Sequence, residues 1–205
     1  MRNKLAVGST VLLLLAVIGG LVAPAALSAG DRARIVRWDL PHFVSAVIVA
    51  GGEDVSVDAT TGDTMTLTGS GHVEPRIGLS FGGGTFVHET QSGTPVADGA
   101  FYVTDLIRWR PIEGGSLAGT GLTDGIADID TASSGILRLA VTFVPQLNGE
   151  PGTPIEGILT IFCKLPGTTF DITEGVRVRI PSAGLDFVQH SDPAIAGVTL
   201  FHIVR

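Results

Sequence analysis

The chain has 205 residues, 44% hydrophobic, 6% aromatic and 16% charged, with 28 glycines and 11 prolines. That composition excludes a disordered tail, and the lack of a 3.5-residue repeat or of dominant Ala, Glu, Lys, Leu and Arg excludes a coiled coil. A net charge of −7, from 13 Lys and Arg against 20 Asp and Glu, repels phosphate backbones and anionic lipid, which argues against nucleic acid or a charged membrane as partner.

The first element is a leader. Arg2 and Lys4 precede an uncharged, mostly apolar stretch from Leu5 to Val22, and small residues follow at Ala23-Pro-Ala-Ala-Leu-Ser-Ala29. This order is that of a secretory signal peptide spanning 1–29, cleaved after Ala29 or, alternatively, after Ala25. An uncleaved anchor is the competing reading, because eighteen residues come close to the length of a bilayer span. Gly8-Ser9-Thr10 and Gly19-Gly20 shorten the strongly apolar part and favour cleavage. The protein is then secreted or held in the cell envelope, it meets membrane only through this segment, and the mature net charge is −9. Cys163 is the lone cysteine, so no intramolecular disulfide can form and the fold must rest on an apolar core. Residues 30–205 suffice for one soluble domain, about 176 residues that bury roughly 70% of their unfolded surface.

Gly30 to Pro41 reads as a lead-in whose Arg32, Arg34 and Arg37 form the one basic cluster of the mature chain, taken as solvated charge. Beyond it, period-2 alternation recurs and helical periodicity does not. The expected strands are Arg34–Trp38, Phe43–Val49, Asp54–Asp58, Thr64–His72, Gly83–Glu89, Ala100–Arg110, Gly135–Val144, Ile155–Lys164, Gly175–Ile180 and Gly197–Val204. Turn residues bound them, among them Asn148-Gly149, Pro151-Gly152 and Pro166-Gly167. Gly135–Val144 and Ile155–Cys163 should pair antiparallel. Gly69, Gly71, Gly83 and Gly84 imply bends, bulges or close backbone approach in a second hairpin. The expected fold is all-β: a single antiparallel β-barrel or a strongly coiled β-sandwich of about ten strands, preceded by the signal helix.

Thr68-Gly-Ser-Gly71, then Gly82-Gly-Gly-Thr-Phe86, then a strand ending Leu106-Ile-Arg-Trp109, resembles a pattern in exported bacterial β-proteins of no established function. It covers about a quarter of the chain. The meander of long, glycine-punctuated strands is also similar in style to the barrel of dirigent and allene oxide cyclase proteins. That likeness implies architecture only and carries over no site residue.

One constellation on the glycine-rich hairpin carries candidate chemistry. With the turn centred near Ser80, His72 faces His88, and Glu74 shares the face of His72. Two imidazoles and a carboxylate so placed are donors for zinc or a similar divalent metal, the one cofactor the sequence brings into view. The competing reading is a solvent-exposed polar face. Asp124, Asp128 and Asp130 lack the EF-hand pattern and read as a turn. Gly114-Gly-Ser-Leu-Ala-Gly119 misses the nucleophile-elbow spacing, which leaves Ser116 a loop residue. Cys163, beside Ile161 and Phe162, reads as a buried thiol. His190 and His202 read as structural, and Trp38, Trp109 and Tyr102 as parts of the core or its rim.

With no catalytic group assembled, the expected function is that of an exported, monomeric, non-catalytic β-domain that binds a small molecule or protein or serves at the surface. The alternative is a barrel enzyme, metal-dependent or isomerase-like, that uses His72, Glu74 and His88.

Overall fold

The computed structural model describes residues 35–147, 149–192 and 195–204. The expected signal segment, 1–29, and two of the three arginines of the lead-in lie outside the described residues. No helix among the described residues is long and apolar enough to cross a membrane.

The protein is all-β. Its strands are β1 (Ile35–Asp39), β2 (His42–Val44), β3 (Val47–Val49), β4 (Glu53–Asp58), β5 (Thr64–Thr68), β6 (Ser70–Glu74), β7 (Leu79–Glu89), β8 (Pro95–Ile112), β9 (Thr123–Asp124), β10 (Ala132–Leu147), β11 (Glu150–Pro151), β12 (Ile155–Cys163), β13 (Gly175–Ile180), β14 (Leu185–Gln189) and β15 (Leu200–Val204). Twelve of them form one antiparallel sheet, while β2, β3 and β9 form a small sheet of their own. Pairings followed from β10 through β12, β13, β14, β4, β5, β7 and β8 return to β10. A branch through β6, β1 and β15 also joins β7 to β10, so the sheet is not a simple barrel.

Alternation decides which side chains go inside. On β5, Met65 and Leu67 are buried while Thr64, Thr66 and Thr68 face out. On β12, Gly157, Leu159, Ile161 and Cys163 are buried and the residues between them are not. Trp38, Phe101, Phe143, Phe187 and Phe201 are the largest fully buried side chains and fill the interior. Each such ring or Leu contributes about 1.5–3 kcal/mol by leaving water, which lets the fold stand without a disulfide. Cys163 lies in this core, its thiol donating to the Thr199 carbonyl at 3.3 Å, and burial pushes its pKa well up.

The expected β10–β12 pair is present, in register from Gly135 opposite Cys163 to Phe143 opposite Ile155. Close approach explains two of the hairpin glycines: a Cβ on Gly84 would lie 1.8 Å from the Thr68 carbonyl oxygen, and one on Gly83 2.3 Å from that of Phe101. Phe43–Val49, expected as one strand, is instead the β2–β3 hairpin, turned at Ser45 in the left-handed region (φ 58). β14 was not among the expected strands, because its alternation is brief and its neighbouring turn, Pro181–Ala183 with Gly184 at φ 68, closes within a few residues.

The glycine-rich hairpin turns at Pro75–Gly78, with Gly78 at φ 70, rather than near Ser80. His72 therefore faces Phe81, and His88 faces Met65. The displacement from the expected register is seven positions, an odd number, and an odd displacement moves a side chain to the other face of the sheet.

Candidate anion-binding site

That register overturns the expected metal site. His72 lies on the outer face, its ring stacked on Phe81 with centroids 5.1 Å apart. Burial first, then the nearby charge of Arg37, lowers its pKa. Glu74 is on the same outer face but opposite Leu79. His88 points inward, buried, with Nε2 3.2 Å from Asp63 Oδ2 and its ring edge-on to Phe187. Among the described residues, no group of three or more His, Cys, Asp or Glu is placed to hold a metal ion.

The other candidates resolve into local structure. Asp124 Oδ1 accepts the Ile126 and Ala127 N–H groups, and Asp128 Oδ1 accepts that of Asp130 at the start of the short Ile129–Thr131 turn. The second Asp124 oxygen lies 3.1 Å from His202 Nε2 in an almost water-free contact, although neither atom makes an aligned hydrogen bond. The Thr131 hydroxyl donates to the Asp128 carbonyl at 2.6 Å and lies 3.0 Å from His202 Nδ1. Arg37, expected as solvated charge, is instead held by Asp39 through two bonds, Nε to Oδ2 at 2.8 Å and Nη2 to Oδ1 at 3.0 Å. These groups clamp the 124–131 segment over β1 and β15. Trp38 is wholly buried, and Trp109 packs edge-on against Phe201.

The strongest concentration of functional groups lies elsewhere, on the outer face of β8, β10, β12 and β13. Residues two apart on a strand share a face, so Arg108 and Arg110, Ile136 and Arg138, Thr160 and Phe162, and Arg177 and Arg179 all project outward. Pairing aligns them in rows. Arg108 is opposite Arg138, Arg138 opposite Thr160, and Thr160 opposite Arg177. Beside this row run Arg110, Ile136 and Phe162. Together these residues line an open trough of about 300 Å³ with five guanidinium groups.

The five are not equally neutralised. Arg177 grips Asp186 with Nε to Oδ1 at 2.8 Å and Nη2 to Oδ2 at 2.6 Å, and Arg179 Nε lies 3.6 Å from the same carboxylate. The hydrogen bond from Arg177 holds the Asp186 carboxyl below the usual range and raises the Arg177 pKa. Arg110 lies over the Phe170 ring, 4.8 Å from its centre. Among the described residues none of Arg108, Arg110 and Arg138 has an ion-pair partner. Like charges directly opposite one another destabilise a sheet, so the Arg108–Arg138 pair is a cost to the fold that a neighbouring anion would offset.

The turn that carries Phe170 is fastened from behind. Ser134 Oγ, fully buried, accepts the Leu165 N–H at 3.0 Å and lies 2.6 Å from Thr168 Oγ1. Ser134→Ala strands that buried N–H, and the expected loss of stability is about 1–3 kcal/mol. Urea unfolding checks the value, and an unchanged midpoint would show that the fastening is not used.

The sequence reading missed this trough because Arg108-x-Arg110, Arg138 and Arg177-x-Arg179 are far apart along the chain. The repeated Arg-x-Arg spacing was the available signal. Only strand order makes it a cluster. No family model, curated protein or solved structure matches this chain.

Proposed function

We propose that this chain is an exported binding protein without catalysis of its own, and that its ligand is an anion held in the arginine-lined trough. Export rests on the leader read from the sequence. The observation that carries the binding reading is the gathering of five of the chain's 13 basic residues on one sheet face, two of them opposed and without a carboxylate. Guanidinium groups present planar, forked donors matched to carboxylate, phosphate and sulfate oxygens. Thr160 adds a hydroxyl in the middle of the row. We take the eight-strand circuit as a closed barrel with a filled interior, which leaves the outer face, rather than a central cavity, for the ligand. The alternative of an enzyme centred on His72, Glu74 and His88 loses the shared face on which it depended.

Titration calorimetry with inorganic phosphate tests the reading. Losing a hydrogen bond to a charged group costs about 1.5–3 kcal/mol, so Arg138→Gln is expected to weaken binding about tenfold or more. Arg76→Gln, on the exposed hairpin turn, serves as control and should bind as the parent does. Equal affinity in parent and Arg138→Gln would remove the trough as the binding site.

A further inference from the structure

Resting on the anion-binding reading above, we infer that the ligand is a small amphipathic anion: one oxyanion group seated among Arg108, Arg138 and Thr160, and a flat or apolar body lying on Ile136 and Phe162.

The two ends of the trough differ in chemistry. Asp186 already neutralises the Arg177 and Arg179 wall. Of the three arginines left without a carboxylate, Arg108 and Arg138 face each other directly, while Arg110 lies over the Phe170 ring at the other end. The Thr160 hydroxyl, next in that row, has no hydrogen-bond partner of its own among the described residues and completes a three-sided donor set. One step along the same strands, two residues or about 7 Å away, the floor becomes apolar, with Ile136 and Phe162 side by side and half exposed. Arg110 and Phe170 close that end as a stacked pair, and Phe170 is 47% exposed, an aromatic face left open at the lip. An inorganic ion would occupy only the first end. The whole volume, about 300 Å³, equals the share of roughly ten water molecules and has room for an organic body.

Charge outside the trough limits the size of the ligand. The chain carries −7 in all, so without the five trough arginines its remainder carries −12. A long polyanion or an anionic bilayer would extend beyond the trough onto this acidic surface and be repelled. A compact ligand that ends at the trough rim avoids that repulsion.

Calorimetry on the full mature chain with phenyl phosphate, inorganic phosphate and phenol tests this inference. Phenyl phosphate is expected to bind about tenfold or more tightly than inorganic phosphate, and phenol hardly at all. Phe162→Ser should bring the ratio of the two phosphate affinities close to one, and Ile136→Thr, a milder change at the neighbouring floor position, should lower it in the same direction. Thermal unfolding of both variants confirms that they fold. Equal binding of phenyl phosphate and inorganic phosphate, both weakened by Arg138→Gln, would overturn the amphipathic ligand and leave the anion-binding reading standing. Binding of both that Arg138→Gln does not alter would overturn the anion-binding reading itself. Tighter binding to phosphatidylglycerol vesicles or to single-stranded DNA than to phenyl phosphate would overturn the small ligand in favour of a macromolecular one.

Discussion

Between pH 4 and pH 8 the stability of this protein is expected to fall by about 4 kcal/mol through one side chain, Asp54. Asp54 is fully buried on β4. Its Oδ1 accepts the Val176 N–H at 3.2 Å, and among the described residues its Oδ2 has no hydrogen-bond partner. Burial, with a further contribution from the negative charge of Glu174, pushes its pKa up to about 7 from an ordinary value of 3.8. Glu174 is itself raised by burial, although its carboxylate accepts the Thr199 N–H and hydroxyl at 2.8 and 2.7 Å and the Lys164 N–H. The folded protein thus keeps a proton that the unfolded chain has already released at pH 5 or 6. Because the folded state binds more protons throughout that window, stability falls as pH rises from about 4 to about 7 and levels off above it. Asp58, Asp171 and Asp186, whose pKa values are lowered, act in the opposite sense and only at more acid pH. The measurement is urea unfolding of the parent and of Asp54→Asn at several pH values. Asn keeps the acceptor for Val176 and removes the titration, so the variant should gain on the parent up to about pH 7 and hold that lead above it. A difference between the two that does not change with pH would show that Asp54 is ionised in the fold throughout.

Arg37→Ala is expected to cost about 3–5 kcal/mol, the range for stripping a buried charge of its partner, here the Asp39 carboxylate beneath a part-buried guanidinium. Arg37 is the cation for Asp39, whose side chain is 1% exposed, and its Nη1 also reaches the Ile126 carbonyl at 3.5 Å. His202 is a poor substitute at neutral pH, since burial lowers its pKa. Alanine leaves the Asp39 and Asp124 carboxylates under the 124–131 segment without a guanidinium. Arg37→Lys restores the charge but not the two-pronged grip on Asp39, so it should recover only part of the loss. Unfolding measurements give the magnitude. Hydrogen exchange at the Ile126 and Ala127 amides, both bound to Asp124, tells whether the segment lifts first. A loss below about 1 kcal/mol would mean that the pair behaves as a surface contact.

Much of the fold was legible because its physics is local. Alternating residues such as Met65 and Leu67 or Leu159 and Ile161 have to face one way, and the pair Gly135–Val144 with Ile155–Cys163 followed from that and from the turn residues between them. The β2–β3 turn at Ser45 was hidden, since neither Ser45 nor Ala46 has the glycine, asparagine or proline signature of a turn. The candidate metal site failed for a reason of the same kind. Whether His72 meets His88 depends on where one turn closes, and Pro75–Gly78 closes it a few residues early. The arginine trough was invisible for a different reason: β8, β10, β12 and β13 contribute two residues each, and no local pattern states that Arg108, Arg138 and Arg177 lie in one row.

The place of β1 in the sheet has a consequence for the order of events in the life of the chain. Its neighbours are β6 and β15, with Ile35 opposite Val204, so the first strand described is zipped to the last. Contacts so distant along the sequence form late and slowly. A chain without β15 cannot complete this seam and leaves β1 held along one edge only, by β6.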